Sequence, residues 1–339
     1  MRIASLAAVL VTVAAVSAGA SSARDVEEPS VTVLVYSLDG WVWRADVDGS
    51  DRVRVARGLY PEVSPDGRWV AFLRRTRKRD VFELRVAALE GRTRRLVGRG
   101  QVASYSWLPD SRRLLIHDLN KGVVLGDRRG GAETRLAPQV TRSAGAINGV
   151  ELAPEATYVV FDRRNTRRSD VFAVAVSGGP ERRLTDDGDS LAPVAGPAAI
   201  AFTRYVGGRS PREELWLMEN DGTNQRRLSP TAGRPAFWSA DGGRLVAVNL
   251  LATFSGGWSG EIWTVDVATS VSRSLYRRPI EGLRTVGLSR DGKLVLTVRG
   301  CVTWGLSGKA TPGRIELIAA DGGKPRTLVR GPCYASWNA

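Results

Sequence analysis

Few residues in this chain are of types that make or break covalent bonds, and their spacing limits what they can do. The only histidine is His117, in LLIHDLN. A lone imidazole within a strand-like run reads as structural, and it leaves a Ser-His-Asp hydrolase without its base. GWSGE (257–261) and GLSGK (305–309) carry their second glycine one place too early for a nucleophile elbow. One histidine and two distant cysteines, Cys301 and Cys333, cannot assemble a His/Cys zinc site. GRGQVA (98–103) resembles a dinucleotide fingerprint but joins strand to strand and opens no helix. DVDGSD (46–51) and DDGD (186–189) offer oxygen ligands of the kind calcium takes. Neither has the EF-hand spacing, and the first reads as a hairpin turn. No cofactor and no metal site is expected from these residues.

The charge is more informative. Formal charge is +14, and nearly all of the cations are arginine, with only five lysines. They gather in RRTRKRD (74–80), RRNTRRSD (163–170) and RYVGGRSPREE (204–214). The candidate binding residues there are Arg74, Arg75, Arg77, Lys78, Arg79, Arg163, Arg164, Arg167, Arg168, Arg209 and Arg212. Guanidinium groups grip carboxylates and phosphates through paired hydrogen bonds. ATFSGGWSGE and RGCVTWGLSGKATPGR add Trp258 and Trp304 as apolar or sugar-stacking contacts. The competing reading is that the arginines only keep loops soluble.

The elements that position these residues repeat. Pro65-Asp66-Gly67 leads into RWVAF, and relatives of the phrase begin at Pro109, Pro154, Ala240 and Arg290, with a degenerate copy in GPAAIAF. Asp-Gly permits the positive φ angles of a two-residue hairpin, so each copy marks a strand, a turn and a strand. A second phrase, a glycine turn followed by a strand, recurs seven times with anchors Val55, Leu96, Leu136, Leu184, Leu228, Leu275 and Leu328. Alternating strands such as VFELRVAAL and EIWTVDV lie between the two phrases. Four strands per unit and a period of 40 to 50 residues predict an all-β, seven-bladed propeller of four-stranded antiparallel blades, with six blades as the alternative.

The chain ends fit that ring. Residues 31–58 supply the last three strands of a unit, and Tyr334–Trp337 supply its first, so one blade is shared and no edge is left open. Large residues recur before each turn, at Val63, Trp107, Leu152, Trp238, Leu288 and Trp337. They read as wedges between blades. Ahead of the propeller, residues 1–23 look like a secretory signal, with Arg2, an apolar run from Leu6 to Val16 and small residues before a cleavage point. Residues 24–30 form a short linker, and 31–339 one propeller domain. No further stretch is long and apolar enough to span a membrane. Cys301 and Cys333 fall on one face of the same sector, which makes a disulfide geometrically sensible in an oxidising compartment.

Repeats such as SPDGRWVAF and FWSADGGRLVAV, the latter preceded by LWLMENDGTNQRRL, resemble the WD-like propeller repeats of the TolB family over nearly all of residues 31–338. The resemblance implies a propeller and a protein-binding or assembly role outside the cytoplasm. It also implies an α/β domain ahead of the propeller, for which the stretch after the leader leaves no room. The expected function is a monomeric, exported, non-enzymatic scaffold. Its partner is a protein, a peptide or an anionic envelope polymer, and not nucleic acid. The alternative is a propeller enzyme of lactonase, lyase or quinoprotein-like type. Its site would lie at the channel mouth, among first-strand residues Tyr60, Glu62, Tyr105, Glu151, Arg234 and Arg284.

Overall fold

The recurring Ser-x-Asp-Gly phrase satisfies its own polar groups. The Ser64, Ser239 and Ser289 hydroxyls each donate to the carboxylate two places on, Asp66, Asp241 and Asp291. Each hydroxyl also accepts the backbone N–H of the returning strand, from Trp69 (3.0 Å), Arg244 (2.8 Å) and Leu294 (2.9 Å). Gly67, Gly242 and Gly292 take the positive φ the turn requires (68°, 71° and 68°), and Ser111 and Ala156 adopt 52° at the same place. The phrase is therefore a preformed hairpin, found in full in blades 2, 6 and 7 and in degenerate form in blades 3, 4 and 5.

The computed structural model describes residues 33–90, 94–140, 145–165, 168–208, 211–252, 258–276, 280–281, 284–289, 291–300, 313–332 and 334–337. The expected signal and linker, Arg167, Arg209, Trp304, Cys301 and Cys333 lie outside them. Trp258 and Arg284 lie on strands whose side chains there are not described.

The strands form seven antiparallel sheets. Blade 1 joins Tyr334–Trp337 to Val33–Leu38, Trp41–Asp46 and Val53–Arg57. Blades 2 to 7 follow in chain order over 59–100, 102–138, 146–183, 190–229, 234–274 and 284–331. Blade 6 has longer second and third strands, Arg244–Ala252 and Trp258–Asp266, with Ile280–Glu281 added to the latter. The shared blade is closed by the pairing of Leu34 with Trp337 and of Ser37 with Tyr334. The seven-bladed reading holds, and the six-bladed alternative does not.

Both faces of each blade are covered by neighbours, so the inner strands are apolar at nearly every position. Leu34 and Tyr36 pack with Leu296 and Ile315 of blade 7, while Val33 and Val35 pack with Val70 and Phe72 of blade 2. One apolar cluster fills each of the seven seams. The core is thus distributed around the ring. The expected wedges whose side chains are described sit in these seams: Trp107 Nε1 donates to the Glu62 carbonyl (3.0 Å) and Trp238 Nε1 to the Val194 carbonyl (3.1 Å), each in the preceding blade.

The outer strands carry the arginines of the second phrase. Arg182 donates to the Asn220 carbonyl (2.8 Å), Arg226 to that of Val267 (3.4 Å) and Arg273 to that of Asp321 (2.6 Å), each one blade ahead. Part of the basic excess therefore ties blade to blade. One anchor differs from the sequence reading. Leu96 is 42% exposed, and its neighbour Val97 is buried. The anchor is the residue that bulges between two register steps, as Leu136, Leu228 and Leu328 do, and in blade 2 that residue is Val97.

Candidate functional site: the loop-bearing face

The connections between second and third strands leave the ring on the face opposite the Ser-x-Asp-Gly turns, and the arginine-rich segments lie there. Several of those arginines are held by carboxylates within the fold. Arg74 lies directly across the hairpin from Glu83 and donates to it (Nε to Oε2, 3.0 Å). Arg85 (2.8 Å) and Arg99 also donate to Glu83. These guanidiniums, Arg85 foremost, hold the Glu83 carboxyl down at about 2. Arg163 pairs with Glu181 (Nε to Oε2, 2.7 Å) and donates to the Pro138 and Gly145 carbonyls. Arg212 pairs with Glu214 (2.9 Å), and Arg234 grips Glu213 with Nε (3.0 Å) and Nη2 (2.6 Å). These four join strands and blades.

The others point to solvent. Arg75, Arg77, Lys78 and Arg79 of blade 2, and Arg164 and Arg168 of blade 4, are exposed. Among the described residues the only ion pair involving any of them is Arg79 with Asp80, 3.7 Å apart with both side chains largely in water. Such a pair contributes about 0–1 kcal/mol.

Several acids near this face are held within the fold, while Asp80, Asp186 and Asp189 are exposed. Asp118 is buried and accepts the N–H groups of Asn120 (2.8 Å) and Lys121 (3.0 Å). Asp162, also buried, accepts the Ala192 N–H (3.0 Å) and the Ser169 hydroxyl (3.1 Å); burial pushes its carboxyl up. Asp170 accepts from Gly188 N–H, Thr185 Oγ1 and Arg183. In DDGD, Asp187 accepts from Asp189 N–H, Ser190 Oγ and Arg204, so it closes the link between blades 4 and 5. In DVDGSD, Asp48 caps its own hairpin through Ser50 N–H (2.8 Å) and Oγ (2.6 Å). Among the described residues no cluster of three His, Cys, Asp or Glu side chains is arranged to hold a metal ion.

The first-strand candidates at the channel are also built into the seams. Tyr60 is half-buried with φ 53°, a left-handed conformation rare for an aromatic residue, and its carbonyl accepts the Tyr105 hydroxyl. Glu62 is buried and accepts the Trp107 N–H (3.1 Å). Burial pushes its carboxyl well above the usual range, and the nearby Glu151 carboxylate adds to this against the Trp107 N–H. Glu151 is buried as well.

What sequence reading missed is the relief of this face. Blades 2 and 4 carry loops 76–81 and 165–168, whereas the blade 3 hairpin turns back within 119–121. Its paired strands stop at Asp118 and Gly122, one residue lower than the pairs Arg75–Phe82 and Arg164–Ser169 beside it. Leu119 is 41% exposed in this short turn, and Lys121 pairs with Glu133 (2.6 Å). The signal was available as unequal loop length, visible only once strand ends are known. One arginine partner had a signal too: in VFELRV the second residue of the third strand, Glu83, lies directly across from Arg74, whereas in REELWL Glu214 faces Arg204 but bonds Arg212 and Arg227.

The sequence matches no family model and no curated relative. Similar solved structures share the fold. A prolyl endopeptidase is 13% identical, with TM-score 0.66 over 89% of this chain and 50% of that one. An oligogalacturonate lyase from Vibrio parahaemolyticus is 14% identical, with TM-score 0.60 over 87% and 86%. TolB from Acinetobacter baumannii is 14% identical, with TM-score 0.49 over 91% and 66%. This chain spans about half the length of the endopeptidase. The resemblance read in the repeats is met by the propeller itself. Among the described residues no helix is long and apolar enough to cross a membrane.

Proposed function

We propose that this chain is an exported propeller scaffold that binds an anionic partner through its loop-bearing face and performs no reaction on it. One observation carries the reading. Over blades 2 and 4 six cations, Arg75, Arg77, Lys78, Arg79, Arg164 and Arg168, are exposed, and among the described residues only Arg79 has an ion-pair partner; the exposed acids beside them are fewer, Asp80 and those of DDGD. Cations kept exposed and uncompensated raise the local concentration of anions and steer their approach. Export is supported by the leader-like first residues. Against a propeller enzyme stand the duties of its candidate residues: Glu62, Tyr105 and Arg234 each bond across a blade seam. Removing any of them for chemistry would loosen the ring.

The test is binding of labelled poly-glutamate and inorganic polyphosphate, with neutral dextran as control. Affinity for both polyanions is expected to fall steeply as salt rises. The variant Arg77→Glu/Arg79→Glu is expected to lose about tenfold or more in affinity, equivalent to about 1.4 kcal/mol, while melting like the parent. Failure of both polyanions to bind at low salt would remove the proposal.

A further inference from the structure

Among the described residues five arginines lie over aromatic rings: Arg54, Arg57, Arg128, Arg163 and Arg204. Two of them show what such a seat receives. Arg163 lies over Phe161 and pairs with Glu181; Arg204 lies over Trp216 (4.3 Å) and donates to Asp187. A guanidinium laid on a ring keeps its in-plane N–H groups clear, and in both places a carboxylate fills them. Arg128 is half-buried over Trp69. Arg54 and Arg57 differ from these three: both are exposed, and neither has an ion pair among the described residues. The acids nearest in sequence do not supply one. Asp51 pairs with Arg44 (3.5 Å), and Asp39, exposed at the tip of the blade 1 hairpin, pairs with neither arginine.

A bulge makes the pair. Trp41 and Trp43 are two apart on the third strand of blade 1, so both face blade 7, whose seam Trp43 packs against. Arg54 and Arg57 are three apart on the fourth strand, and in a regular strand they would point to opposite sides. Val55 drops out of the register between the Arg54–Trp43 and Ala56–Val42 pairs. Arg57 is thereby set across from Trp41, on the same side as Arg54. Both guanidinium carbons lie within 5.4 Å of the Trp41 ring centre, and Arg54 is 4.9 Å from that of Trp43. Two like charges are thus held at one indole, with side-chain freedom already reduced before any ligand arrives.

A carboxylate has two oxygens in one plane, and a single arginine satisfies it, as Arg163 does Glu181 through both oxygens. A phosphate monoester carries about −1.5 to −2 charge at neutral pH and three acceptor oxygens, which suits two guanidiniums at once. We infer that Arg54 and Arg57, seated on Trp41, form a binding site for a phosphate monoester group, carried by a soluble ester or by a lipid headgroup. The site uses none of the blade 2 and blade 4 loop residues, so it stands apart from the face described above.

Equilibrium binding to the intact protein uses four probes: a soluble sugar monophosphate, succinate, and phosphatidylcholine vesicles with and without phosphatidic acid. At least one phosphate probe is expected to bind more tightly than succinate and plain vesicles. Binding of the sugar monophosphate identifies a soluble ester as the source, and binding of the phosphatidic acid vesicles alone identifies a lipid headgroup. Arg54→Gln and Arg57→Gln should each lower phosphate affinity about tenfold, because each removes one charged donor set. Trp41→Leu keeps every charge but removes the seat, and it should lower affinity several-fold. Arg95→Gln, at an exposed arginine of blade 2, removes the same charge elsewhere and should change little. Thermal melting checks that every variant is folded. If Arg95→Gln weakens binding as much as Arg57→Gln, the attraction is one of general charge and the assignment is overturned. The same holds if Trp41→Leu has no effect, if succinate binds as tightly as the phosphate probes, or if neither phosphate probe binds.

Discussion

His117 occupies in blade 3 the second-strand place that Leu73 holds in blade 2 and Asp162 in blade 4, facing the next blade's first strand. It is 5% exposed, and its Nε2 has no partner among the described residues. Burial pushes its pKa down to about 4, with Asp118 pulling weakly the other way. Between that value and the ordinary 6.5 the unfolded chain binds more protons than the folded one. Stability therefore falls as pH drops through this window and levels off below it, by up to about 3 kcal/mol. His117→Leu, which copies blade 2, should abolish that fall, measured as the difference between parent and variant urea midpoints across the window. A difference that does not change with pH would contradict the burial of a neutral ring. Glu83 acts lower, between its ordinary value and about 2, so the two slopes are separable. The sequence showed a lone histidine in a strand and read it as structural. It could not show which neighbouring blade the ring faces, because that depends on contacts between units far apart in the chain.

At the scale of a strand, the repeat was legible wherever local chemistry fixes geometry. The Ser-x-Asp-Gly turn satisfies itself within six residues, so its sequence is its structure. Anchors of the outer strands were less legible, since a bulge of one residue moves a side chain to the other face. Leu96 and Leu228 read alike in EGRTRRL and DGTNQRRL, yet Leu96 is 42% exposed and Leu228 3%. The two leucines therefore should differ on truncation. Leu228→Ala is expected to cost about 2–5 kcal/mol by emptying the seam between blades 5 and 6. Leu96→Ala should stay within about 0.5 kcal/mol, and Val97→Ala should carry the blade 2 effect. Chemical denaturation of the three variants decides it. Equal losses at Leu96 and Leu228 would refute the register of blade 2. The proposed binding face was legible in half: the arginine runs were plain, but only strand pairing separates Arg74, bonded across to Glu83, from Arg75, which is exposed.

The ring as a whole depends on a closure of four residues, Tyr334–Trp337 against Val33–Leu38, between segments at opposite ends of the chain. Every other seam joins units that are consecutive in sequence, so this one has the largest entropy of closure and gains most from a crosslink. Cys301 and Cys333 lie outside the described residues, yet each is one step beyond a described neighbour, Gly300 after the second strand of blade 7 and Pro332 after the fourth. Both strand ends point to the loop-bearing face of the blade that abuts the closing strand. A disulfide there would close about 32 residues, and in the chain-entropy view would stabilise by about 3–4 kcal/mol. Protein unfolded without reductant should accordingly show no free thiol, and two after reduction. Amide exchange in Tyr334–Trp337 and Val33–Leu38 should quicken on reduction, while exchange in the second strand of blade 4 stays as it was. Two free thiols before reduction would rule the crosslink out, and equal exchange in both redox states would deny it any part in holding the ring shut.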